Sequence, residues 1–364
     1  MVRQSHVIDC DIHNTVDKKR VLEFLPEPWR TRYASGSGGH GGLGYWNPNG
    51  VFRSDAVMPD GTRIESSPTL LISEFFDVYG IEYGVLNTPG MHHGLSPEPD
   101  FAAAMCKAIN DVIVHDWLTV SDRLIGSIVV SQADPIQAAA EIRRLGGHPG
   151  MRQVLMGSGA RFPFGQRYYD PIYEAACEFD LPVAIHPGNE GSGVAGPPTP
   201  AGYPTTYLEW HTNLTANYMG HLVSLLTEGT FIKFPKLKFV LVEGGIAWMP
   251  PVLWRLDKNW KALRQSVPWL EQLPSEYAVD HVLLTTQPIE EPDNPEHLKQ
   301  MLGMFDAAKM LMFSSDYPHW DGDTPDFAAR AFSKELRPRV MSETARELYR
   351  LPVRTVLDNE IAAD

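Results

Sequence analysis

The stretch Val7-Ile8-Asp9-Cys10-Asp11-Ile12-His13 sets three ionisable side chains two positions apart. In an extended chain, side chains at i and i+2 share a face, so Asp9, Asp11 and His13 are expected on one side and Ile8, Cys10 and Ile12 on the other. Asp11 and His13 are then spaced to hold one small hard object, most simply a divalent cation taking an oxygen and a nitrogen. The same spacing suits a surface edge strand with polar decoration, and these seven residues leave both readings open.

Similar groups recur where short apolar runs stop. His186 closes the run 182–186, Glu243 follows 237–242, and Asp316 closes 311–316. Further apolar runs at 83–87, 124–130, 153–157 and 282–285 bring the expected strands to eight. Helical patterns separate them at 68–80, 101–118, 135–145, 171–179, 207–228, 248–263 and 296–305, with an interruption expected at Pro250-Pro251. Eight strands alternating with helices give an α/β fold, a parallel (β/α)8 TIM barrel, read here as one domain over 1–364. In such a barrel every strand C-terminus opens on one face, so Asp11, His13, His186, Glu243 and Asp316 are expected in a single mouth. Uncompensated charges there are costly, and a divalent cation offsets that cost directly. Two doubly wound domains would also alternate, but no Gly-x-Gly-x-x-Gly follows any strand.

The exception to the alternation is an insertion at 30–66, which includes the glycine-dense run 35–44. Ordering so many glycines costs backbone entropy, so the segment is expected to be a lid or a dimer arm. No Gly-Lys-Ser/Thr accompanies it, which excludes a phosphate-cradling loop. The net charge of -14 argues against nucleic acid or an anionic membrane as a partner. Three widely spaced cysteines in apolar runs imply no disulfide framework, and neither a signal segment nor a membrane span is present in the sequence, so a cytoplasmic location is expected.

Four motifs carry a family resemblance: Asp-Ile-His at strand one, Ile-His-Pro-Gly at strand five, Phe-Pro-Lys-Leu-Lys-Phe-Val-Leu-Val-Glu-Gly-Gly ahead of Trp-Arg-Leu-Asp, and Phe-Ser-Ser-Asp-Tyr-Pro-His at strand eight. Together they resemble the amidohydrolase superfamily. The chain is most similar to the branch containing aminocarboxymuconate-semialdehyde decarboxylase and the metal-dependent aromatic-acid decarboxylases, from Val7 to about Pro338. The resemblance implies one divalent metal on Asp11, His13, His186 and Asp316, with zinc the first expectation. Asp11 stands where the family motif begins with histidine, which opens the site to Mn²⁺ as well. Glu243 stands where relatives carry a histidine at strand six. A glutamate can accept a proton, bind metal or orient a water, but it cannot act as a neutral imidazole donor.

Acid-base work is therefore assigned among Asp316, Glu243, His211 and His319. Arg255, Trp248, His92 and His93 are the candidates for substrate binding. For Arg255 a salt bridge to Asp257 or to a partner subunit is the plain alternative, and for His92 and His93 solvated surface. Aromatic residues in expected loops, among them Trp46, Phe162, Phe164, Trp210 and Trp320, suit a planar apolar ligand or simply cap the core. The expected activity is non-oxidative decarboxylation of an aromatic or unsaturated acid. The alternative is hydrolysis of an amide, an ester or a C–C bond next to a carbonyl by metal-activated water. The expected partners are a small, planar aromatic acid and further copies of the chain, as a homodimer or higher homo-oligomer.

Overall fold

The computed structural model describes residues 7–35 and 52–354. The glycine run and Trp46 lie outside the described residues. Eight parallel strands follow one another around the sheet in chain order: β1 (Val7–Ile12), β2 (Ile81–Leu86), β3 (Leu124–Val129), β4 (Met151–Gly157), β5 (Val183–His186), β6 (Phe239–Leu241), β7 (Val282–Thr285) and β8 (Leu311–Met312). The circle closes between the end of the β8 run and β1, where Cys10 N–H donates to Phe313 O at 2.9 Å and His13 N–H to Tyr317 O at 2.8 Å. Helices fill the connections, as expected of a (β/α)8 barrel.

Strand side chains divide into two layers. Ile8, Cys10, Val85, Ile125, Leu155 and Val240 pack together inside the barrel. Val7, Ile12, Leu86, Ile128, Ile185 and Leu241 pack outward with the helices. Ile12 therefore does not share a face with Ile8 and Cys10, contrary to the period-two reading. Asp9 faces Gly84 and Ile12 faces Leu86, three residues against two, so β1 carries a bulge. The extra residue reverses the alternation and sends Asp11 to the mouth while Ile12 turns to the helices.

Other differences have local causes. Pro250 and Pro251 do not interrupt the helix Met249–Leu263, because they lie in its first turn, where backbone N–H groups have no helical partner. The pattern 207–228 is two helices, Tyr207–Thr212 and Leu214–Thr227, separated at Asn213. Strands six and eight stop short of Glu243 and Asp316, whose backbones are left-handed at φ 56° and 54°. That conformation cannot continue a ladder.

His221 shows how the helix layer grips the barrel loops. It is buried on the helix Leu214–Thr227, its Nε2–H donates to Ser158 O at 2.8 Å, and its Nδ1 accepts from Phe164 N–H at 3.2 Å. Only the neutral ring can make both bonds, and burial lowers its pKa to about 4. The folded pKa lies below the unfolded value of about 6.5, so this contribution is complete above pH 6.5 and is lost as pH falls towards 4, at most about 3 kcal/mol. In His221→Gln, an amide can make the same two bonds without titrating. Thermal unfolding across pH 4–7 should show a shallower loss of stability in the variant, and identical pH profiles would contradict this.

Candidate metal centre

The barrel brings five potential ligands together from four parts of the chain. Asp11 and His13 end the bulged β1, His186 ends β5, and Glu243 and Asp316 follow β6 and β8. All five are buried, and one ligand atom from each lies within 4.8 Å of all the others. His13 Nε2 is 2.9 Å from Asp316 Oδ1 and 3.5 Å from Asp11 Oδ1. His186 Nε2 is 3.0 Å from Glu243 Oε2 and 3.5 Å from Asp11 Oδ2. The left-handed backbones of Glu243 and Asp316 cost about 1–3 kcal/mol each, and strain of this kind concentrates at functional sites.

The proton inventory explains why the cluster calls for a cation. His13 Nδ1–H donates to Asn87 O at 2.8 Å, and His186 Nδ1–H donates to Pro187 O at 2.8 Å. A carbonyl can only accept, so each neutral ring turns the lone pair of Nε2 towards the carboxylates. Five acceptor atoms then face one another with no donor among them. Asp11 Oδ2, Asp316 Oδ2 and His186 Nε2 make no hydrogen bond. A divalent cation satisfies all of these atoms at once, and three carboxylate oxygens with two imidazole nitrogens form a fitting donor set. Without one, protons must substitute. Burial lowers the pKa of His186, but Asp11 and then Glu243 override it and hold the ring well above the usual imidazole range.

Further titratable groups surround this centre. His319 Nδ1 lies 2.8 Å from Asp316 Oδ1, and its ring lies 4.3 Å from that of His13. Burial opposes protonation of His319, but the charge of Asp316 wins and lifts its pKa to about 9. His211, on the helix Tyr207–Thr212, has Nε2 3.7 Å from Glu243 Oε1 and 3.4 Å from Asp321 Oδ2. Its pKa is raised, with Glu243 outweighing burial, while burial lifts Asp321 to about 6. His92 lies against the β5 loop, since a Cβ on Gly188 would fall 2.6 Å from its Cε1. His93 instead sets its ring edge-on to Tyr33 and Phe101.

Two residues expected at the substrate have other surroundings within this chain. Trp248 is buried in the outer layer, and its indole N–H donates to Gly244 O at 2.8 Å and Gly245 O at 3.0 Å, so it braces the turn after Glu243. Arg255 is exposed on the helix Met249–Leu263. Its expected partner Asp257 is taken by Ser275, whose N–H and Oγ–H donate at 3.0 and 2.7 Å. Sequence reasoning missed Asp321 and Asn87, whose Nδ2–H donates to Asp11 Oδ1 at 2.9 Å. Asn87 was within reach, because it ends the expected second strand and strand ends were the criterion. Asp321 lies two residues past His319, in a loop where no strand end or motif marks it.

Purified protein should contain one divalent cation per chain. Chelation should lower Tm by several degrees, because a ligand at about 100 times its Kd adds about 2.7 kcal/mol. His186→Ala should reduce the metal content measured by elemental analysis. Unchanged content in that variant would make His186 purely structural.

A family model described as Amidohydrolase matches residues 8–351. Decarboxylase orsB of Emericella nidulans is 28% identical over 172 residues, which is 44% of this chain and 50% of that protein, so the match spans half of its length. Gamma-resorcylate decarboxylase of Rhodococcus jostii (strain RHA1) is 25% identical over 299 residues, 76% of this chain and 86% of that one. Among solved structures, 5-carboxyvanillate decarboxylase from Novosphingobium aromaticivorans DSM 12444, complexed with manganese and 4-hydroxy-3-methoxy-5-nitrobenzoic acid, superposes with a TM-score of 0.70 at 20% identity, covering 96% of this chain and 97% of that chain. With the family model spanning nearly the whole barrel and the ligand cluster at its mouth, this chain belongs to the amidohydrolase family.

Proposed function

We propose that this chain is a metal-dependent, non-oxidative decarboxylase of an aromatic acid that carries a hydroxyl group beside its carboxyl group. The observation that carries the reading is the acceptor-only cluster of Asp11, His13, His186, Glu243 and Asp316 with the His319 ring 2.8 Å from one of its carboxylates. The relatives named above, decarboxylases of aromatic acids, support the substrate class. We assign Mn²⁺ ahead of zinc, because three carboxylates among five donors make a hard site and a structural neighbour holds manganese.

When bound, the cation supplies positive charge for the acid's carboxylate and neighbouring oxygen. The chain must supply a proton and exclude competing ones. In the reaction a proton adds to the ring carbon bearing the carboxylate, the bond to that carboxylate breaks, its electron pair returns to the ring, and CO₂ leaves. His319 is the assigned donor. Asp316 raises its pKa to about 9 and accepts its Nδ1–H, which leaves Nε2–H for the ring carbon. His211, whose pKa is raised by Glu243 and then Asp321, provides a second hydrogen-bond donor for the substrate's anionic oxygens. Tyr207 stacked on His211 at 5.4 Å and Trp320 at 6.0 Å supply aromatic faces for a planar ring.

Hydrolysis is the second reading, and Glu243 is the residue that favours it. Burial and Asp316 push its pKa up, but His186 and His211 outweigh them, so it stays ionised and suits a base that takes a proton from water. As further parts of the proposal, we assign a homodimeric state, supported by the exposed Trp254 on the helix Met249–Leu263, and a cytoplasmic location. No helix among the described residues is long and apolar enough to cross a membrane.

A panel of hydroxybenzoates, esters and amides separates the readings. Decarboxylation predicts CO₂ release and, in D₂O, one deuterium at the carbon that lost the carboxyl group. Ester or amide turnover without CO₂ would overturn it. His319→Asn should lower kcat by about 10²–10⁴-fold with little change in KM. An unchanged kcat would remove His319 from the chemistry.

A further inference from the structure

Asp9 is the one carboxylate of the opening strand that the metal cluster does not use. It is fully buried, and its Oδ2 has no hydrogen-bond partner. Its other oxygen, Oδ1, accepts two backbone hydrogen bonds, from Ser315 N–H at 2.9 Å and from Asp11 N–H at 3.2 Å. These bonds lie where the barrel closes. On either side of them the closure is ordinary backbone pairing, Cys10 N–H to Phe313 O and His13 N–H to Tyr317 O. Three residues of β1 are matched there against four of the β8 run, so a regular ladder cannot continue between the two bonds. The Asp9 carboxylate stands where a backbone carbonyl would otherwise accept. Ser315 ties the same gap from the other side, with its Oγ 3.5 Å from Asp11 O and accepting from Tyr317 N–H at 3.1 Å.

The two N–H groups held by Asp9 belong to Asp11 itself and to the residue preceding Asp316. One oxygen therefore fixes the backbones that carry two cluster carboxylates from opposite ends of the chain. We infer that Asp9 is a positioning residue for the metal centre: its carboxylate replaces the missing backbone acceptor at the barrel closure and thereby sets the separation of Asp11 and Asp316. Asp9 touches neither metal nor substrate in this role, and the acceptor oxygen rather than the charge is what matters. The inference rests on the reading of the cluster as a metal site.

The test uses metal-stripped full-length protein and Mn²⁺ as the probe. Dissociation constants come from chelator competition, the environment of bound Mn²⁺ from its EPR spectrum, and folding from the Tm of the metal-free form. Asp9→Leu, similar in shape but without an acceptor, should weaken Mn²⁺ binding by about 10–100-fold, the usual loss when a residue supporting a ligand is removed, and should change the EPR spectrum. Asp9→Asn keeps the acceptor oxygen and should bind Mn²⁺ within about threefold of wild type with an unaltered spectrum, a rescue in line with partners that orient ligands. Should D9L fail to fold, Asp9→Glu, which keeps the charge but displaces the acceptor by one methylene, should give the same weakening. Wild-type affinity in D9L or D9E, or a loss in D9N as large as in D9L, would overturn the inference. Wild-type protein that takes up no Mn²⁺ would overturn the metal site and the inference together, while Mn²⁺ binding without CO₂ release would overturn only the decarboxylase reading.

Discussion

The arrangement depends on five acceptor atoms held face to face in the mouth of the barrel. Carbonyls at Asn87 and Pro187 take the Nδ1–H protons of His13 and His186, so both rings turn lone pairs towards Asp11, Glu243 and Asp316. Burial makes that convergence unfavourable for any state in which the charges go uncompensated. A cation turns the same geometry from a liability into a binding site. The backbone is shaped accordingly: a bulge in β1 turns Asp11 inward, and left-handed residues at 243 and 316 bring carboxylates over the end of the barrel.

The fold was legible because each strand is an apolar run of strand length with a helical pattern after it, and covered parallel strands produce little else. The cluster was legible for a related reason, since ligands sit at strand ends and strand ends can be counted. Ile12 shows the limit of counting. A bulge arises from pairing with a neighbouring strand, and β1 alone does not reveal that three of its residues oppose two of β2. Trp248 and Arg255 show another limit. Both fall in a segment that follows a barrel strand, but whether a side chain faces the mouth depends on the turn taken after Glu243, where the Trp248 indole is bonded to two glycine carbonyls.

Glu243 is where the chain departs most from the family pattern it resembles, and its surroundings make chemical sense of the change. Its two oxygens face different histidines, Oε2 towards His186 and Oε1 towards His211. A carboxylate in that position adds negative charge between two imidazoles, raises the pKa of His211, and makes the donor set harder. His319 and His211, which follow the eighth and fifth strands, stand beside it with raised pKa values.

The central claim is that the acceptor cluster is built around a single divalent cation. Anomalous diffraction at the manganese edge, from crystals of protein loaded with Mn²⁺, tests it most directly. The account predicts one strong peak per chain, within bonding distance of Asp11, His13, His186, Glu243 and Asp316. A map with no peak among these residues, and with His186 instead hydrogen-bonded to Glu243 as an imidazolium, would contradict it.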